Sequence, residues 1–183
     1  MSAEDTTRRQ FLVSSMTGVS TAWIALNWPA VVQAQQMAHQ SAQFAFFSDG
    51  QAAEIEAMSA QIFPTDDTPG AREARVVHFI DRSLTSFAQD AQPLYTQGIQ
   101  DLQSKSRELV PGAMTFSALT SAQQIQVLTA IETTPFFKQV RDHTIMGMFA
   151  SPKHGGNFDK VGWHLIGFED TLAFKPPFGY YDR

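Results

Sequence analysis

The chain contains no cysteine among its 183 residues. That excludes disulfides, iron–sulfur ligation and the Cys-x-x-Cys-His attachment of haem by this chain, and with them a thiol nucleophile. A role in electron transfer would therefore need redox centres held by another protein. Charge of one sign is also scarce: 13 Lys and Arg against 18 Asp and Glu give a formal net charge of −5. No basic stripe emerges, so nucleic acid is not an expected partner, because phosphate contacts need clustered Lys and Arg. Period-two alternation of a β-strand, an internal repeat, a Gly-x-Gly-x-x-Gly fingerprint and a Gly-x-Ser-x-Gly elbow are all missing.

What is present begins with Thr7-Arg8-Arg9-Gln10-Phe11-Leu12. A charged start runs to Arg9, an uncharged apolar stretch covers residues 11–28, and the small residues of Val32-Gln33-Ala34 suit cleavage after Ala34. Hydroxyls at Ser14, Ser15, Thr17, Ser20 and Thr21 dilute the apolar stretch. Each costs free energy in hydrocarbon, so a cleaved signal is favoured over a permanent anchor. Arg8, Arg9, Phe11 and Leu12 together resemble the twin-arginine (Tat) export signal, which is read by a translocase for folded proteins. The alternative is a general secretory signal whose basic start happens to hold two arginines. Removing residues 1–34 leaves 149, enough for one domain with a core, in a periplasmic setting. Glu4 and Asp5 cancel Arg8 and Arg9, so the mature domain keeps the whole acidic balance.

Residues 35–48, rich in Gln, Ala and Ser, read as a tether, although Phe44, Phe46 and Phe47 are apolar enough to dock. Residues 49–183 read as a small all-α domain of about five helices. Ser48 or Asp49 caps the first, in which Ile55, Met58 and Ile62 recur at helical spacing until Pro64. Asp66 or Asp67 caps the second from Ala71, with Ala74, Val77, Ile80, Leu84 and Phe87 as its stripe. Leu94, Tyr95, Ile99 and Leu102 mark a third helix, interrupted at Gly98 and giving way to the polar run 103–108. Thr120 to Gln123 is a capping box for a fourth helix with Ile125, Leu128 and Ile131. Thr134-Pro135 starts a fifth that runs to Phe149, and the two adjacent caps predict a helical hairpin.

From Ser151 the chain turns irregular. Residues 134–183 hold seven of the 15 Phe, together with Trp163, Tyr180 and Tyr181. Such a segment either forms a partner surface, as apolar patches do, or wraps back over its own helices. The histidines His143, His154 and His164 lack metal-site spacing and read as hydrogen-bonding residues. Asp66 and Asp67 read as caps rather than an acid and base pair, and Met146 and Met148 as packing rather than haem ligands. No catalytic, cofactor-binding or metal residue is assigned. Two rival classes remain open: an independent periplasmic metal-dependent enzyme using the histidines, and a solute-binding module.

The set Ile62-Phe63-Pro64-Thr65-Asp66-Asp67-Thr68-Pro69-Gly70-Ala71, with Val77, Ile80 and Asp81, resembles the opening of the gluconate 2-dehydrogenase subunit 3 family. Residues 144–149, Ser151 to Asn157, Val161-Gly162-Trp163 and Ile166-Gly167-Phe168 are similar to its second signature. The resemblance implies the small subunit of a periplasmic dehydrogenase complex, membrane-associated through that complex. It implies a large GMC-type flavoprotein subunit that holds FAD and crosses on this chain's signal, and commonly a cytochrome c subunit with haem. It also implies a chain that supports its partner's folding, maturation and Tat export and binds no cofactor itself. The expected partner region is 151–183, with Pro152, His154, Gly155, Gly156, Asn157, Trp163 and Phe168 as contacts.

Overall fold

Hydroxyl side chains set three of the six helix starts among the described residues. In the computed structural model, which describes residues 44–171, α1 (Asp49–Ile62) begins at Ser48, whose Oγ accepts from the Gln51 amide while the Gln51 side chain accepts from the Ser48 amide. The same reciprocal pair, Thr120 with Gln123, opens α4 (Ser121–Ile131). Thr134 caps α5 (Pro135–Phe149), with Pro135 at its first position. Each cap satisfies amides that have no partner inside the helix, a contribution of about 1 kcal/mol. Arg8, Arg9, Phe11 and Leu12, the cleavage site at Ala34, tether residues 35–43 and residues 172–183 lie outside the described residues.

Between these stand α2 (Val76–Leu84) and α3 (Gln92–Leu109), and a single-turn helix α6 (Val161–Leu165) follows α5. Among the described residues there are six helices and no strand, and the domain is all-α. α1 is central, touching α2, α3, α4 and α5. Ile55, Met58, Val76, Ile80, Leu84, Tyr95, Leu102, Phe116, Val127, Val140 and Met148 are fully buried around it. At about 1.5–3 kcal/mol for each large apolar side chain buried, this core is the main stabilising term. No described helix is long and apolar enough to cross a membrane.

Six expectations change. α2 begins at Val76 rather than Ala71: residues 71–75 form turns and Arg75, at its N-cap, is left-handed (φ 53°). Asp66 caps no helix; its Oδ1 closes a local turn on the Thr68 amide and hydroxyl. Phe87 lies beyond the end of α2 and is 59% exposed. α3 runs unbroken through Gly98 and the polar run, because Gly98 marks a close approach and not a break: a Cβ there would overlap the Phe136 ring. In α4, Val127 is buried and Ile125 faces solvent. The connection from α4 to α5 is short, yet the two do not pair as a hairpin; α4 packs on α3 and α1, and α5 on α2 and α1.

Candidate functional site

The expected tether turns into a strap that belongs to the domain from Phe44 onward. Asp81 on α2 is buried, and its carboxylate accepts three consecutive amides: Ala45 at 2.7 Å, Phe46 at 2.9 Å and Phe47 at 3.0 Å. A carboxylate satisfied by several backbone N–H groups is a strong anchor. Phe47 is buried against the core, and Phe44 stacks on His78 with ring centroids 4.8 Å apart. Burial, and then the Arg75 and Arg82 charges, lower the His78 pKa below its usual value.

At the other end, the chain leaves α5 and folds a loop back over the junction of α5 with α2. Asn157 organises it. This residue is fully buried and left-handed (φ 46°); its Nδ2 donates to the Ala150 carbonyl (3.0 Å), its Oδ1 accepts from the Gly162 amide (2.9 Å), and its own amide donates to Gly147 O (2.7 Å). Gly156 and Gly162 allow the close approach, since a Cβ on either would collide with the carbonyls of Gly147 or Met148. Phe158 donates its amide to Ala74 O, and Arg75 lies over its ring, 3.6 Å from the centroid. Asp159 and Lys160 are also left-handed. Four positive-φ residues in six, counting Gly155, hold the turn in one shape that favours Asn, Asp and Gly.

The product of this loop is an exposed apolar surface. Trp163, half-buried, donates its indole N–H to Phe149 O (2.7 Å) and meets Phe168 edge-on, with centroids 4.9 Å apart. Phe168 is 46% exposed and Ile166 60%, with Leu165 and Phe158 also open. Ile145 and Met146, on the last turns of α5 that carry the loop, face solvent as well. Of the residues expected as contacts, Trp163, Phe168, His154 and Pro152 reach the surface, and Gly155 is half-buried. Gly156 and Asn157 are turned inward and shape the surface from beneath. Sequence reasoning missed Ile145, Met146, Leu165, Ile166 and Phe158. The signal for the first two was there: they fall on the polar side of α5, beside Arg141 and Asp142.

Other candidate chemistry is dispersed. His143 is buried on the core side of α5; its Nδ1 lies 2.9 Å from the Tyr95 hydroxyl and its Nε2 2.8 Å from the Gln139 amide nitrogen. Burial lowers its pKa and raises that of Tyr95, so both stay neutral, as core hydrogen-bonding groups. His154 and His164 are exposed. Among the described residues no three His, Asp or Glu side chains are placed to hold a metal ion. Glu54 is buried and accepts from the Ser117 amide (3.1 Å), and burial raises its pKa. An open groove of about 280 Å³ lies between α1, α4 and α5, lined by Ile62, Ile125, Leu128 and Phe137 with Gln61, Thr129, Glu132 and Arg141.

No curated protein and no solved structure matches the chain. A family model, Gluconate 2-dehydrogenase subunit 3, matches residues 49–170, from the first residue of α1 to just past the Trp163–Phe168 pair. It takes in both sequence signatures and nearly all of the described fold. The chain therefore belongs to the gluconate 2-dehydrogenase subunit 3 family.

Proposed function

We propose that this chain is the non-catalytic small subunit of an exported FAD-dependent sugar or polyol dehydrogenase complex, of the gluconate or glucose type. A GMC-type flavoprotein subunit supplies FAD and the chemistry, and a cytochrome c subunit takes the electrons where the complex has one. This chain supports folding and maturation of the flavoprotein and carries it to the periplasm, with Arg8, Arg9, Phe11 and Leu12 addressing the Tat translocase. Family membership supports a place in a dehydrogenase complex. The observation that carries the accessory role is the surface around Trp163: a loop with its polar groups satisfied internally spends three left-handed non-glycine residues to hold apolar side chains toward solvent. Strain of that kind persists where function requires a fixed shape, and exposed clustered aromatics fit a protein partner.

The test is co-purification of the proposed flavoprotein partner. Trp163→Ala combined with Phe168→Ala should release it from an otherwise folded domain. Retention at wild-type stoichiometry would contradict the assignment of this surface. Arg8→Lys with Arg9→Lys should leave both proteins in the cytoplasm.

A further inference from the structure

Beside the apolar surface, we infer that the partner presents an acidic face to a basic ridge formed by α2 and the 151–160 loop. The inference rests on the reading of this chain as a partner-bearing subunit and adds the partner's chemistry. His78 and Arg82, four residues apart, share one face of α2, and Arg75 precedes that helix at its N-cap. The loop lies against that face: a Cβ on Gly155 would stand 2.9 Å from Arg82 Cδ and 3.1 Å from His78 O, while Arg75 covers Phe158. Lys153 and His154, next to Gly155, are exposed along the same ridge.

Three carboxylates near the ridge are engaged elsewhere. Glu56 pairs with Arg72 at 3.3 Å, Asp81 is buried under the strap amides, and Asp170 pairs with Lys160 at 2.9 Å. Asp159 is the only acidic residue within residues 151–160. Among the described residues Arg75, Arg82 and Lys153 have no carboxylate within salt-bridge distance. Such a ridge is complementary to carboxylates, which guanidinium groups recognise with defined geometry.

One observation favours a protein surface over an anionic lipid surface. The Trp163 indole N–H is bound to Phe149 O, so its polar edge is turned inward and does not face the lipid headgroups, as membrane-interface tryptophans do.

The experiment uses the complex co-expressed with the flavoprotein, its dissociation constant measured by dilution at 50 and at 500 mM NaCl. Rim charges act mainly on encounter and are screened by salt. The wild-type constant should rise about tenfold with salt, and Arg82→Glu with Lys153→Glu should raise it about tenfold at 50 mM and little further at 500 mM. The neutral pair Arg82→Gln with Lys153→Gln should fall between, which separates charge from disturbance of the loop. A salt-insensitive complex, or reversal variants that bind like wild type while Trp163→Ala with Phe168→Ala releases the partner, would overturn the acidic face alone. Release by neither set would overturn the surface itself. Binding of the chain to phosphatidylglycerol vesicles, lost in the reversal variant, would replace the acidic protein face by a membrane.

Discussion

Replacing Asn157 by Ala tests how the partner surface is held. The side chain is fully buried and makes two hydrogen bonds, to Ala150 O and from the Gly162 amide. Truncation leaves a part-buried carbonyl and a buried amide without these partners, at about 1–3 kcal/mol each. Alanine also tolerates the left-handed backbone less well than asparagine, at about 1 kcal/mol. Even the low end of that sum, about 3 kcal/mol, shifts the balance between closed and open loop by about a hundredfold. The loop lies over the bundle and contributes little to it, so helical circular dichroism should persist. Trp163 is the sole tryptophan from residue 35 onward, so in a protein beginning there its emission reports on this loop. Asn157→Ala should redshift that emission and make it easier to quench with acrylamide. Asn157→Gly keeps the backbone conformation without the hydrogen bonds and should fall between. Wild-type emission and quenching in Asn157→Ala would refute this account of the loop.

Asp81→Asn replaces a carboxylate that serves three amides with a group bearing one acceptor oxygen, so the Phe44–Phe47 strap should loosen and proteolytic cleavage there should accelerate about tenfold or more; unchanged protection would argue that Phe47 packing alone holds the strap. Gly98→Ala forces a methyl into the Phe136 ring and should destabilise by about 1–3 kcal/mol despite alanine's better helix propensity, with partial recovery on adding Phe136→Leu; a rise in melting temperature would contradict the close approach. Glu54 titrates above its usual 4.5 because it is buried. The folded state thus holds this proton more tightly than the unfolded chain, and the group's favourable contribution at low pH is lost as pH rises through the window from 4.5 to the raised folded value. Glu54→Gln, uncharged throughout, should gain stability relative to wild type above that window, and a difference in melting temperature that does not vary between pH 4 and 8 would contradict this.

Local chemistry made much of the fold legible. Ser48 with Gln51, Thr120 with Gln123 and Thr134 with Pro135 each mark a helix start by satisfying amides within a few residues, and such signals need no knowledge of the rest of the chain. Expectations failed where a distant group decided the outcome. Gly98 reads as a break until Phe136, far along the chain, fills the space where its Cβ would be. Asp81 reads as one polar position on an amphipathic helix, and its role as anchor appears only when residues 45–47 return to it. The α2 start moved from Ala71 to Val76 because the 71–75 turns are pinned from outside the helix, with Phe158 donating to Ala74 O and Arg75 over the Phe158 ring. The aromatic-rich end divided in a way composition could not foresee: Phe136 joins the core, whereas Phe158 and Phe168 remain open. The clustering of Arg75, Arg82 and Lys153 was invisible for the same reason, since their proximity is created by the loop.

The most direct test of the central proposal is to express the proposed GMC-type flavoprotein partner in bacteria with and without this chain, and to measure FAD-bound protein and dehydrogenase activity in the periplasm. The account predicts yellow, active flavoprotein in the periplasm only when this chain is present with Arg8 and Arg9 intact. Flavoprotein that is soluble, loaded with FAD and exported at the same level without it would contradict the account.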